Sequence, residues 1–215
     1  MRRTTIAALL LTTLLSACVA PTAITGSWKK PGYLGEHPQK VAVLSLSYDK
    51  VRQAVIGEAM AKALRARDVV AENGVNILEE KDVPEGKQGL AQREHLNGLL
   101  SDQGFDLAIT ARLMDITKSQ RYVESPRAPE VYPMRYYDTL GNYWYADDPY
   151  YRAYDPGTWV TTSKVVMETN VYKLPEGKLV WTGQSQTMDP SSVNDFSKSF
   201  APTVVAKLFR DQVLK

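Results

Sequence analysis

Few side chains in this sequence can do covalent or metal chemistry. His37 and His95 are the only histidines, and Cys18 is the only cysteine, in 215 residues. A zinc site draws on several His, Cys or carboxylate ligands at close spacing, and neither histidine has such company. Asp147-Asp148 offers oxygen to a hard cation, but two adjacent carboxylates lack the spaced oxygen set of a calcium loop. A glycine-rich phosphate loop and a nucleophile elbow are both missing. The expectation is therefore no metal, no cofactor and no nameable catalytic residue. Cys18 has no partner for a disulfide, and an unpaired thiol is a liability in an oxidising compartment.

The chemistry that remains is recognition, and it is concentrated in residues 122 to 159. This stretch holds nine of the 12 tyrosines, two of the four tryptophans and five prolines, with only three Val, Leu or Ile. Connections longer than about 12 to 15 residues without their own structure are usually functional or disordered, and so many rings argue against disorder. Tyr136, Tyr137, Tyr143, Trp144, Tyr145, Tyr150, Tyr151 and Tyr154 are the candidate partner-binding residues. Their rings can stack on a sugar face or a protein partner, and their polar tips can hydrogen-bond. Two other uses fit as well: a lid folded back on the domain, or rings resting at the lipid headgroup level. The segment carries six Asp and Glu against three Arg and no Lys, and the whole chain has a formal charge of +2, so nucleic acid is not an expected partner.

The first residues read as an export signal. Arg2 and Arg3 precede a short apolar run, and small residues follow at Ser16 and Ala17. From Ile6 to Ala17 is 12 residues, too few for the roughly 20 that a helix needs to cross hydrocarbon. The string Leu15-Ser16-Ala17-Cys18 resembles the lipobox of bacterial lipoproteins. That resemblance implies cleavage before Cys18, a diacylglyceryl thioether on its sulfur and a further acyl chain on the new amino group. Several chains hold firmly where one gives only marginal binding. Val19 stands where an Asp would favour inner-membrane retention in such lipoproteins, so the resemblance implies the outer membrane, facing the periplasm. Losing residues 1 to 17 leaves 24 basic against 24 acidic side chains, and nothing then draws the chain electrostatically to anionic lipid.

The elements that must carry these groups follow from periodicity. With 44% hydrophobic and 23% charged residues, the composition is that of a folded domain. Residues 18 to 39, rich in Pro and Gly, read as a lipidated tether leading into an extended entry segment. Lys40 to Leu46 reads as a buried strand, with Asp49 as N-cap of a helix over Val51 to Arg67. A second strand lies between Val69 and Leu78, then a helix through Leu90, Leu96, Leu99 and Leu100 that Gly104 can end. A third strand starts at Asp106-Leu107 and alternates toward Ile116, with Val123 as its furthest end, and a fourth covers Trp159 to Tyr172. Leu174 to Gly177 turns the fourth strand into a fifth at Lys178 to Trp181, where Trp181 and Tyr172 read as cross-strand sheet packing. Asp189-Pro190 reads as the start of a last helix, and Pro202 predicts a kink or break near residue 198.

The order βαβαβββα gives an α/β fold: one domain over residues 40 to 215, a mixed sheet of about five strands with helices packed on it, and a long Tyr-rich hairpin insertion. Trp28-Lys-Lys-Pro31-Gly-Tyr33, Glu168-Thr-Asn-Val-Tyr172 and Gly177-Lys-Leu-Val-Trp181-Thr-Gly183-Gln-Ser185 resemble a domain-of-unknown-function family of bacterial lipoproteins. These are strand and turn residues, so the resemblance implies a fold and no substrate. A weaker likeness of topology links the chain to the N-terminal domain of the Tol-system periplasmic protein and to lipoprotein activators of penicillin-binding proteins. The expected function is a lipid-anchored, non-enzymatic binding or scaffold module that takes an envelope protein or glycan. Two alternatives stay open: an enzyme acting on envelope material with loop carboxylates as acid and base, and a structural subunit that oligomerises through sheet edges.

Overall fold

The computed structural model describes residues 20–47, 49–78, 90–123 and 158–215. They form two compact units, one of the described residues up to Thr117 with Ser163–Lys215, the other of those within Lys118–Thr162. Among the described residues the fold is α/β, with a mixed six-stranded sheet and three α-helices.

Strand β2 (Val41–Leu46) is the run Val-Ala-Val-Leu-Ser-Leu, and its first four residues are buried. Burial on successive residues means that both faces of the strand are covered. It pairs in parallel with β3 (Ala71–Asn73) on one side and with β4 (Leu107–Val123) on the other. The sheet order is β1-β6-β5-β4-β2-β3, with β5 at Thr158–Lys173 and β6 at Lys178–Met188 joined antiparallel. One face packs Val41, Val43, Leu107, Ile109 and Trp181 against helices α1 (Lys50–Arg65) and α3 (Val193–Arg210). The opposite face packs Ala42, Leu44 and Ala108 against Leu96 and Leu100 of α2 (Leu90–Asp102).

Helix α1 starts where the sequence places it. The Asp49 carboxylate accepts the N–H groups of Val51 and Arg52 at 2.9 and 3.3 Å, satisfying two donors that the first turn leaves open. The turn that follows its last residue, Arg65, closes at Asp68, which takes the left-handed conformation at φ 62 that glycine more often supplies. Gly57 sits inside this helix for a reason of space: a Cβ there would lie 2.1 Å from Asn73 Oδ1. Asn73 comes that close because its Nδ2 donates to the Ala54 carbonyl at 2.9 Å, clamping β3 to the helix. Gly104, at φ 81, ends α2 as expected, with its N–H on the Ser101 carbonyl at 2.9 Å.

Four expectations need correction. The sheet has six strands because Thr22–Lys29, within the residues read as tether and entry segment, is strand β1, antiparallel to β6 at the sheet margin. Helix α3 is capped by Ser192 rather than Asp189, since Asp189 has φ 47 and its carboxylate accepts the Ser163 N–H. The break near residue 198 does not occur, and one helix runs from Val193 to Arg210 through Pro202. Pro202 and Lys198 are both exposed, so water can reach the carbonyl that lacks its amide partner. Tyr172 and Trp181 are not a cross-strand pair: Tyr172 opposes Leu179 and Trp181 opposes Val171. The two rings pack on opposite faces of the sheet, Tyr172 with the Ala42 side and Trp181 with the Val41 side.

Candidate functional site

Asp211, the C-cap of α3, joins that helix to the β1 margin of the sheet. Its N–H donates to the Lys207 carbonyl at 2.8 Å. One carboxylate oxygen accepts Trp181 Nε1 at 2.9 Å and the Ser27 hydroxyl at 3.2 Å, and the other accepts Lys207 Nζ at 2.8 Å. Burial pushes this carboxyl up, but the hydrogen bonds from Lys207, Trp181 and Ser27 and the Lys207 charge outweigh it and hold the pKa below the ordinary value. A depressed folded-state pKa stabilises the fold above the unfolded carboxylate value of about 3.9, and that contribution is lost as pH falls through the folded value. Asp211→Asn is therefore expected to lower stability near pH 7, with the gap to wild type closing below about pH 4. Denaturant melts across that range check it, and a pH-independent gap would contradict the assignment.

Beside this cluster an open groove of about 660 Å³ runs between β1 and α3. Ile24 to Ser27 form its floor on the strand side, and Pro202, Thr203 and Ala206 line the helix side. Arg67, Lys207 and Arg210 bring three basic side chains to its wall. Lys207 is neutralised by Asp211, and the Arg67 guanidinium lies 5.0 Å from the centre of the Phe209 ring. Thr25 donates its hydroxyl to the Gln184 carbonyl at 3.2 Å and so is engaged in the strand pairing. The groove lining contains no histidine, cysteine or carboxylate.

Elsewhere in the first unit Lys173 pairs with Glu36, Lys40 with Glu72 and Arg65 with Glu58. His37 and His95 are both exposed, one before β2 and one on α2. The Tyr33 hydroxyl is buried without a hydrogen-bond partner, and burial first, with nearby Glu36 second, raises its pKa to about 12. Among the described residues there is no group of three or more His, Cys, Asp or Glu placed to hold a metal ion. Also among them, no helix is long and apolar enough to cross a membrane.

Cys18, Tyr136, Tyr137, Tyr143, Trp144, Tyr145, Tyr150, Tyr151 and Tyr154 lie outside the described residues, as does Asp147-Asp148. The second unit shows the base of the aromatic segment. Ser119 and Thr162 bring their hydroxyls to 3.3 Å, Gln120 reaches Thr161, and Tyr122 meets Trp159 edge to face at 5.3 Å between ring centres. These contacts climb β4 as they descend β5, so the two strands form an antiparallel stem, as the hairpin expectation requires.

The Asp211 cluster and the groove cations escaped the sequence reading. Only the Lys207–Asp211 spacing of four, which faces two side chains together on a helix, signals them locally.

Comparison with known proteins matches no protein-family model and no curated protein. Solved structures of similar shape include two from bacteria. One is the PelC dodecamer from Paraburkholderia phytofirmans, 11% identical, with a TM-score of 0.45 over 87% of this chain and 96% of that one. The other is lipoprotein GNA1162 from Neisseria meningitidis, 15% identical, with a TM-score of 0.38 over 80% of this chain and 99% of that one. Both likenesses are distant, and neither assigns a role to any residue of this chain.

Proposed function

We propose that this chain is a lipid-anchored envelope lipoprotein acting as a non-enzymatic binding module. It is held by acyl chains on Cys18 in the outer membrane and faces the periplasm. The observation that carries the reading is the placement of Leu15-Ser16-Ala17-Cys18 directly ahead of the folded body, which begins at Ala20. An acylated cysteine there joins a domain to a bilayer.

The partner surface in this reading is the aromatic segment carried on the β4–β5 stem, including Tyr136, Tyr137, Tyr143, Trp144, Tyr145, Tyr150, Tyr151 and Tyr154. Its ligand is an envelope protein or glycan, because rings with polar tips suit both and the acidic balance disfavours nucleic acid. Replacing residues 130 to 156 by a short Gly-Ser linker tests it. The fold is expected to survive, since the stem strands pair through their own residues and loop closure depends only weakly on length. Crosslinks to envelope partners, formed in intact cells and read by mass spectrometry, are expected to disappear. A variant that folds and keeps every crosslink would remove the aromatic segment from the account.

A second reading, self-assembly, is favoured by the open margin of the sheet. Among the described residues strand β1 has a neighbour on one side only, and an unpaired edge is a template for another strand. The register shift between Ile24 and Gly26 interrupts that edge and works against such pairing. Light scattering of the purified protein separates a monomer from an assembly.

A further inference from the structure

The path by which the chain enters the sheet determines which end of the first unit meets lipid. Ala20 is only 7% exposed, and its N–H donates to Asp195 Oδ1 at 3.4 Å. The Pro21 carbonyl accepts the Met188 N–H at 3.1 Å, and the Thr22 and Thr187 hydroxyls meet at 2.7 Å. From Ala20 onward the backbone is therefore fastened to the end of β6 and the first turn of α3.

Cys18 precedes Ala20 by two residues, which span at most about 7 Å in any conformation. The polar layer on one side of a bilayer is about 5 to 7 Å deep. A link that short cannot lift the domain clear of the surface. We infer that the end of the first unit formed by Thr187–Asp195 and the start of β1 rests against the lipid headgroups of the leaflet that holds the acyl chains. This rests on the reading of Cys18 as the acylated residue.

The chemistry of that end suits a headgroup layer rather than the hydrocarbon. Ser191, Ser192 and Asn194 are exposed and can hydrogen-bond to phosphate and ester oxygens. Asp189 and Asp195 are balanced by Lys164 and Lys198, so the surface neither requires nor repels anionic lipid. Between Thr187 and Lys198 no large hydrophobic side chain is exposed. At the other end of β6, the turn at Pro175–Gly177 is 11 residues away, roughly 35 Å at a strand's rise per residue.

The acylated chain has no other cysteine, so single thiols report position cleanly. Asn194→Cys and Glu176→Cys, both at exposed positions, each carry a fluorophore on the full-length protein extracted in detergent. Each is reconstituted into phosphatidylcholine–phosphatidylethanolamine vesicles containing lipid with a nitroxide on its headgroup, which quenches at near-contact range. Near-complete loss of emission at position 194 with little loss at 176 is the expected result. Equal quenching at both positions, or stronger quenching at 176, overturns the orientation. A flexible Gly-Ser spacer inserted between Val19 and Ala20 should remove the difference while the protein still floats with the vesicles, and a difference that persists shows that the short link does not orient the domain. Failure of the anchor reading is a separate observation: wild-type protein that takes up the thiol label at Cys18, or that does not float.

Discussion

Trp181→Ala is expected to destabilise the protein by about 3 to 5 kcal/mol. The ring is fully buried in the cluster that joins the sheet to α3, with Phe196, Phe200, Val204 and Leu208 of the helix in the same cluster. Its outer edge reaches Gly183, where a Cβ would come within 2.2 Å of the ring, so the sheet has a glycine where the indole needs room. Truncation leaves a hole the size of an indole between two rigid elements, and also removes the Nε1 hydrogen bond to Asp211. Against a total stability of about 5 to 15 kcal/mol, a loss of that size is a large fraction. Trp181→Phe keeps a buried ring but loses the Nε1 hydrogen bond, worth about 1.5 to 3 kcal/mol, together with part of the indole's volume, so its cost is expected to be smaller than that of the alanine variant. Urea melts of residues 19 to 215 measure both variants. A cost for the alanine variant below about 1 kcal/mol would place the ring at the surface and contradict the packing described.

How much of this was legible in the sequence depends on how local each signal is. The Asp49 cap, the three-and-four spacing of α1 and the Val-Ala-Val-Leu run of β2 are local signals, and the structure follows them. Strand β1 has no comparable pattern, because the side chains of Thr-Ala-Ile-Thr-Gly-Ser-Trp-Lys mostly face solvent or the groove. It is a strand because β6 supplies its hydrogen bonds, as where Thr22 meets Thr187 across 165 residues of sequence. The start of α3 was misread for a related reason. Asp189-Pro190 is a good local start, but the Asp189 carboxylate is taken by the Ser163 N–H from another strand. Ser192 then caps the helix through the Asp195 N–H at 3.1 Å, while the Asp195 carboxylate accepts the Ser191 N–H at 2.9 Å.

The candidate sites divide in the same way. Cys18 and the aromatic segment are candidates raised by a short string and by composition, which need no tertiary information. The Asp211 cluster was not, because Trp181 and Ser27 reach that carboxylate from 30 and 184 residues away in sequence. Its ligands are common surface and core residue types, so nothing in their local pattern sets them apart.

Cys18→Ser is expected to abolish acylation completely, because the thioether requires sulfur as the nucleophile and no other cysteine can substitute. Without a lipid anchor the chain loses its hold on the membrane. Its processed form has balanced charge and no described helix able to span a bilayer, so neither electrostatics nor those helices retain it. The expected distribution is a shift from the membrane fraction to the soluble fraction, or accumulation of unprocessed precursor with residues 1 to 17 still attached. Wild-type protein that washes off membranes without detergent would contradict the anchor as firmly as a lipidated serine variant.

The most direct measurement is mass spectrometry of the wild-type N-terminus, on protein extracted from envelopes in detergent. The account predicts a chain that begins at Cys18 and carries a diacylglyceryl group on its sulfur and a further acyl chain on its amino group. A chain that begins at any other residue, or a Cys18 that reacts as a free thiol, would contradict it.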